Sequence, residues 1–274
     1  MNAFSASRFG DTVMNDYRAR RARTTGPFEK SLMASASSSP PILESNALGH
    51  PQFEDLAIGE RRTENITALF LDLTDFTSRS FWDDAIQVVD LAHAVLTGFI
   101  ETVLDYGGFP LGLRGDGLFA GFGPGNAPVG AGMALAACAY VLEAVQADVN
   151  PRLRSEGIEP VQVRAGLDHG PITFVRTGAG DNSEINPLGF AANFAAKCEK
   201  KANSWEIVVG EGLRDLLPDY DHFSQHPDSP RSFQRDGQRR FYRFYDYRWR
   251  NTLKHIPGTV EELAGNPASA IAYS

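Results

Sequence analysis

The stretch GLRGDGLFAGFG, residues 112–123, limits the fold more than any other segment of this chain. Five glycines in twelve residues exclude a helix there, because glycine loses more backbone freedom on ordering than any other residue. An Asp-Gly pair at 116–117 is instead a favoured two-residue hairpin turn, and Leu111, Leu113, Leu118, Phe119 and Phe122 supply strand side chains on either side. A carboxylate at such a turn is, by itself, hairpin structure. What Asp116 does depends on what the rest of the chain brings beside it.

The neighbouring segments alternate in period. ITALFLDL (66–73) is a compact apolar run with the length of a buried strand. Ile86, Val89, Leu96, Phe99, Ile100 and Val103 then recur at helical spacing, with Asp83 as the expected cap and Gly107-Gly108 as the stop. After the hairpin, 127–149 reads as a second helix rich in small residues. VQVRAGLDHG (161–170) reads as an alternating strand, with PITFV (171–175) expected to pair back on it. A third helix is expected over 188–202 and a short buried strand over 205–210. Strand–helix–strand–strand–helix–strand is the order of a ferredoxin-like α+β unit, in which the first strand lies beside the central hairpin. The end of 66–73 then meets the turn at 115–117, and Asp72 stands beside Asp116.

Composition narrows the partners. A net charge of −8 in 274 residues argues against a phosphate-reading face, so no nucleic-acid partner is expected. The apolar runs read as too short for a membrane span, and the first residues hold no apolar leader. Cys138 and Cys198 stand alone in apparent helices, which fits a reducing, cytoplasmic setting without disulfides. Residues 1–62, with ASASSSPP at 34–41, read as an irregular or partly disordered extension, 63–250 as the folded domain and 251–274 as a tail. The basic YRARRAR at 17–23 reads as a solvated or packed segment, and 231–250 mixes seven arginines with seven aromatics.

Two carboxylates converging at a sheet end form a natural Mg²⁺ or Mn²⁺ site, since these hard cations take oxygen ligands and share them with substrate phosphates. The following turn, Thr74, Asp75, Phe76 and Thr77, presents backbone N–H groups and a helix start to a triphosphate. Such chemistry works by positioning and charge stabilisation and needs no side-chain nucleophile.

Four segments, in order over 66–210, resemble the class III nucleotidyl cyclase catalytic domain. FLDLTDFTS resembles its F-x-D-[IL]-x-G-F-[TS] motif, with Asp75 where glycine is usual, and GLRGDGLFAGFG its K-x-x-G-D-x-x-x-A-x-F-G motif. VRAGLDHGPITF resembles the G-[IL]-x-x-G-x-[VI] strand, and NPLGFAANFAAKCE (186–199) the D-x-x-G-x-x-V-N-x-A-x-R-x-E helix. The resemblance implies a homodimer of βαββαβ cores with added C-terminal helix and strands, its sites lying between subunits. It implies two divalent metal ions per site on Asp72, Asp116 and the Leu73 carbonyl, with Asn193 orienting the ribose of a nucleoside triphosphate. Lys197 falls where the transition-state arginine is expected and keeps the charge without the fork. A C-terminal cation for the triphosphate has Arg239, Arg240 and Arg243 as candidates.

Base recognition departs from the family. Gly112 falls where the adenine-selecting lysine stands and Asn186 where its companion aspartate stands. Arg114 points the same way as Gly112 in an alternating strand. It either reads the carbonyl of a smaller base, uracil or cytosine, or pairs with Asp75 or a partner-subunit residue. Missing purine contacts with an arginine here resemble the bacterial pyrimidine cyclases of Pycsar anti-phage defence, whose cyclic UMP or cyclic CMP activates a separate effector. A purine cyclase and a non-catalytic nucleotide-binding module are the alternatives.

Overall fold

A computed structural model describes residues 6–24, 48–179, 182–217 and 220–255. The ASASSSPP run and residues 256–274 lie outside the described residues. Helix α1 (Ala6–Thr24) leads to strand β1 (Arg61–Leu73), helices α2 (Phe76–Trp82) and α3 (Ala85–Asp105), and the hairpin β2 (Phe109–Arg114) and β3 (Gly117–Phe122). Helix α4 (Ala127–Ser155) follows, with a π turn at Val145–Val149, then β4 (Val163–Ala179), β5 (Asn182–Leu188), α5 (Phe190–Glu199) and β6 (Ile207–Gly210). The chain closes with α6 (Glu211–Arg214), β7 (Phe223–Gln225), β8 (Arg231–Arg235), β9 (Gln238–Tyr242) and β10 (Phe244–Tyr247).

The main sheet runs β2-β3-β1-β4-β6-β10-β7, with β5 paired to the far half of β4 and β8-β9 forming a separate hairpin. Its first four strands have the expected ferredoxin-like order. β1 is buried on both faces, which explains its unbroken apolar run. Leu69, Leu71 and Leu73 join the core beneath α1, α3 and α4, whereas Ile66 and Ala68 join the core beneath α5. By the same alternation Asp72, and on β4 Arg164, Gly166 and Asp168, take the α5 face.

Local chemistry sets the helix ends. Asp84, not Asp83, caps α3 by accepting the Gln87 N–H at 2.8 Å. Asp83 is instead held by the Arg79 guanidinium at 2.8 Å. Tyr106 closes α3, and Gly107 follows in the left-handed region at φ +77°. Asn126 caps α4, and Pro128 fits its first turn, where a missing N–H costs nothing.

Three sequence expectations change. First, residues 6–24 are a helix, not an irregular arm: Phe9, Val13, Met14 and Tyr17 are buried in the main core. Gly98 is their seat, since a Cβ there would stand 2.8 Å from the Phe9 ring. The basic residues of α1 are ion-paired at the surface, Arg18 with Glu156 and Arg20 with Asp16 one turn back. Second, PITFV continues β4 instead of turning back, because its partner is the extended first half of β1, Arg61 to Asn65. The returning strand is β5. Third, α3 and α4 are long and apolar enough to cross a membrane by length and composition, with 50% and 72% of the qualifying windows buried inside the protein. The close packing that alanine and glycine permit makes α4 a core helix.

Candidate active site

Asp72 sits near the end of β1, opposite Gly117 on one side and Arg164 on the other. The Arg164 Nε and Nη2 groups both donate to Asp72 Oδ2, at 3.1 and 2.7 Å. The other oxygen, Oδ1, lies against Gly117, 3.0 Å from where a Cβ would stand. Any larger residue at 117 would crowd it. The turn itself is Gly115-Asp116 rather than Asp-Gly, with Gly115 at φ +66° between paired Arg114 and Gly117. Glycine at the first central position suits a primed turn, and Asp116 is set at its tip. Burial, then the charge of Asp72, pushes the Asp116 carboxyl above its ordinary value. The structure thus brings Asp72 and Asp116 together, with the Leu73 strand end beside them. Among the described residues no group of three or more His, Cys, Asp or Glu side chains forms a ready metal cage.

Thr74, Asp75 and Phe76 line a shallow cavity of about 300 Å³ with Arg79, Trp82 and Gln162. Asp75 adopts φ +57°, a left-handed conformation that explains why glycine is usual there in the resembled motif. The Thr74 hydroxyl is buried without a hydrogen-bond partner. Thr77 lies in the first turn of α2.

A second cavity, about 440 Å³, lies between β2 and β5 and contains Gly112, Arg114 and Asn186 together, with His50, Glu54 and Arg176 on its wall. Arg114 Nη1 is 3.4 Å from the position of a Gly112 Cβ, so the guanidinium occupies the space a side chain at 112 would need. Among the described residues its side chain makes one hydrogen bond, to the Leu113 carbonyl at 3.1 Å. No ion pair with Asp75 is present among the described residues. Arg176, by contrast, is held by the Leu56 and Glu54 carbonyls and by the Ser183 hydroxyl.

Asn193 and Lys197 stand one turn apart on α5, both exposed. No hydrogen bond or ion pair joins them to Asp72 or Asp116 among the described residues. Lys197 borders a third cavity of about 310 Å³ with Lys200, Lys201 and Arg231 over Phe194 and Phe244. Of the C-terminal arginines, Arg231 is therefore the one beside Lys197. Arg239 and Arg240 are exposed on β9, and Arg243 faces Glu211 at 4.0 Å.

Two residues were missed in the sequence. Arg164 bridges Asp72 to Glu199, which is 2.6 Å from Nη2. The signal was an arginine in an otherwise apolar strand, the same signal that drew attention to Arg114. Two histidines are held by polar contacts away from Asp72 and Asp116: His93 meets Asp16 at 3.1 Å and His169 meets the Thr67 hydroxyl at 2.9 Å. Asp168 is fully buried, accepts from Tyr242 Oη at 3.0 Å and the His169 N–H, and is pushed by burial up to about 7.

No family model matches the chain. The solved adenylyl cyclase CyaB from P. aeruginosa superposes with a TM-score of 0.60 at 22% identity, over 69% of this chain and 95% of that one. The fold is that of a class III nucleotidyl cyclase domain. Two cytidylate cyclases of Escherichia coli are similar in sequence, one 24% identical over 181 residues and the other 26% over 183. The matches cover 61% and 64% of this chain but only 38% and 41% of those proteins, so the chain spans about two fifths of the relatives it matches. The chain thus has the fold of class III cyclases and a likeness in sequence to proteins named cytidylate cyclases.

Proposed function

We propose that this chain is a metal-dependent pyrimidine nucleotide cyclase, converting CTP or UTP into the 3′,5′-cyclic monophosphate and pyrophosphate. The observation that carries this reading is the β2–β5 cavity. The two positions where a class III cyclase reads a purine, Gly112 and Asn186, meet there without lysine or aspartate, and Arg114 fills the space above the glycine. A guanidinium in that place suits the ring carbonyl of a pyrimidine, and the names of the sequence relatives agree.

Asp72 and Asp116, with the Leu73 carbonyl, fit divalent cations. They are paired hard-oxygen donors, and burial followed by the charge of Asp72 raises Asp116, which Arg164 offsets only in part. Mg²⁺ or Mn²⁺ there would neutralise phosphate charge and acidify the ribose 3′-hydroxyl. Asn193 holds the ribose so that its 3′-oxygen faces the α-phosphorus, and Lys197 places a cation on the phosphate as the bond to pyrophosphate breaks. As the resemblance implies, each site takes its aspartates from one subunit and α5 from the partner, and the exposure of Asn193 and Lys197 leaves that helix face open to one. We place the enzyme in the cytoplasm, as a source of second messenger for a separate effector in antiviral defence.

Full-length protein incubated with Mn²⁺ and each of the four ribonucleoside triphosphates, followed by mass spectrometry, tests the reading. Cyclic CMP or cyclic UMP is expected to dominate and to vanish in Asp116→Ala. Cyclic AMP or cyclic GMP as the main product would overturn the pyrimidine assignment, and no cyclic product would favour a nucleotide-binding module.

A further inference from the structure

One guanidinium serves two carboxylates on different elements. Arg164 Nη2 lies 2.7 Å from Asp72 Oδ2 on β1 and 2.6 Å from Glu199 Oε1 at the C-terminal end of α5. Arg164 Nη1 reaches the Ala202 carbonyl just beyond that helix at 3.5 Å, where a cation also suits the negative end of the helix dipole. Glu199 is 7% exposed, so its carboxylate has little water to turn to in place of Arg164. The helix has little freedom to evade this contact. A Cβ on Gly166 of β4 would stand 1.9 Å from Glu199 N and 2.4 Å from the Ala195 carbonyl, so backbone rests on backbone there. Whatever alters the hold of Arg164 on Asp72 is therefore felt at the end of α5, the helix that carries Asn193 and Lys197.

We propose that the Asp72–Arg164–Glu199 bridge couples the two active sites of the dimer, by linking cation occupancy at Asp72 to the order of α5. This rests on the cation and two-chain readings of the site given above. In one subunit Asp72 belongs to one site and Asn193 to the other, so the bridge is the short path between them. With a divalent cation on Asp72, that carboxylate turns its charge toward the ion. Arg164 is then left to Glu199 and the Ala202 carbonyl, and the C-terminal turn of α5 tightens. Occupancy of one site thereby orders the ribose- and phosphate-holding helix of the other. Coupling of this kind is a free energy shared by two sites, and it needs no direct contact between their ligands.

The test titrates Mn²⁺ into the full-length, nucleotide-free protein. Calorimetry measures binding, and hydrogen exchange with mass spectrometry follows the peptide spanning α5. Saturating Mn²⁺ is expected to slow exchange in the last turn of α5 by about threefold or more. Glu199→Gln is expected to bind Mn²⁺ within about threefold of wild type while losing that slowing, because a neutral amide leaves Arg164 no second charge to grip. Arg164→Lys keeps the charge without the fork, and is expected to uncouple α5 as well should the glutamine variant not fold. A merely structural bridge would lower stability in these variants without removing a cation-dependent response. Bound Mn²⁺ with unchanged α5 exchange in the wild type, or an undiminished response in a folded variant, overturns the coupling alone. No Mn²⁺ binding by the wild type overturns the cation reading, and the coupling with it.

Discussion

The Arg114 side chain makes one hydrogen bond among the described residues, to its own strand, and lies over the glycine that precedes it by two residues. An arginine that is exposed, lacks a carboxylate partner among the described residues and lines a cavity is available for a ligand. In the proposed reading, truncating it removes a charged hydrogen bond from the base without disturbing the core. Arg114→Ala is expected to raise KM for the preferred triphosphate roughly 10- to 100-fold with the melting temperature unchanged, as suits a charged hydrogen bond worth about 1.5–3 kcal/mol. Steady-state kinetics with CTP and UTP check this. An unchanged KM would assign the arginine to another surface. The residues that made this argument possible were legible beforehand: glycine at 112, asparagine at 186 and arginine at 114 are departures from a motif, and a departure is visible in a single sequence. Arg164 stood out only as an arginine in an apolar strand, and its partner was not legible, because that depends on which residue faces it across the strands.

Two elements carry more of the stability than the sequence suggested. Helix α1 inserts Phe9 between Gly98 and the Phe99 and Tyr140 rings, with centroids at 6.5 and 6.3 Å. Phe9→Ala is expected to destabilise the fold by about 3–5 kcal/mol, the range for deleting a buried aromatic, which chemical denaturation measures. A negligible change would mean that α1 is detachable. The Pro, Gly and Ser breaks that follow hid this helix by diluting its period of Phe9, Val13, Met14 and Tyr17. At the other end of the domain, Asp168 ties β4 to β9 through Tyr242 and to α6. Its folded value of about 7 exceeds its ordinary one of 3.8, so the neutral acid is the form that suits the fold. The stabilisation from this group is complete below about pH 4 and is lost as pH rises through about 7, up to roughly 4 kcal/mol. Wild type is expected to lose melting temperature over that window, and Asp168→Asn to show a flatter profile. An equal slope in both would move the titration elsewhere.

At the scale of the whole molecule, the placement of Asn193 and Lys197 on an open face of α5 makes one chain an incomplete enzyme in the proposed reading. Complementation tests this directly. Asp72→Ala and Asn193→Ala are each expected to be inactive alone, whereas an equal mixture after subunit exchange regains about a quarter of wild-type activity, since half the dimers are mixed and each holds one intact site. Activity that stays absent in the mixture, with mixed dimers present, would place both residues in the same site.

The sequence by itself determined the class of fold, the order of the central elements and the meeting of Asp72 with Asp116. Hydrophobic period and turn chemistry are local, and they leave few ways to close a βαββαβ unit. It also marked the proposed base position, through residues that fail to match a motif. Only the tertiary structure decided the rest: that α1 belongs to the core, that β4 runs on through PITFV, and that Arg231 neighbours Lys197. It also decided that one guanidinium is shared by Asp72 and Glu199. These depend on which distant surfaces pack and on which face each strand residue takes, and a contact between elements far apart in the chain leaves no period to read. The Gly115-Asp116 turn shows both sides: its glycines announced the hairpin, and register alone set which of them allows Asp72 to lie beside it.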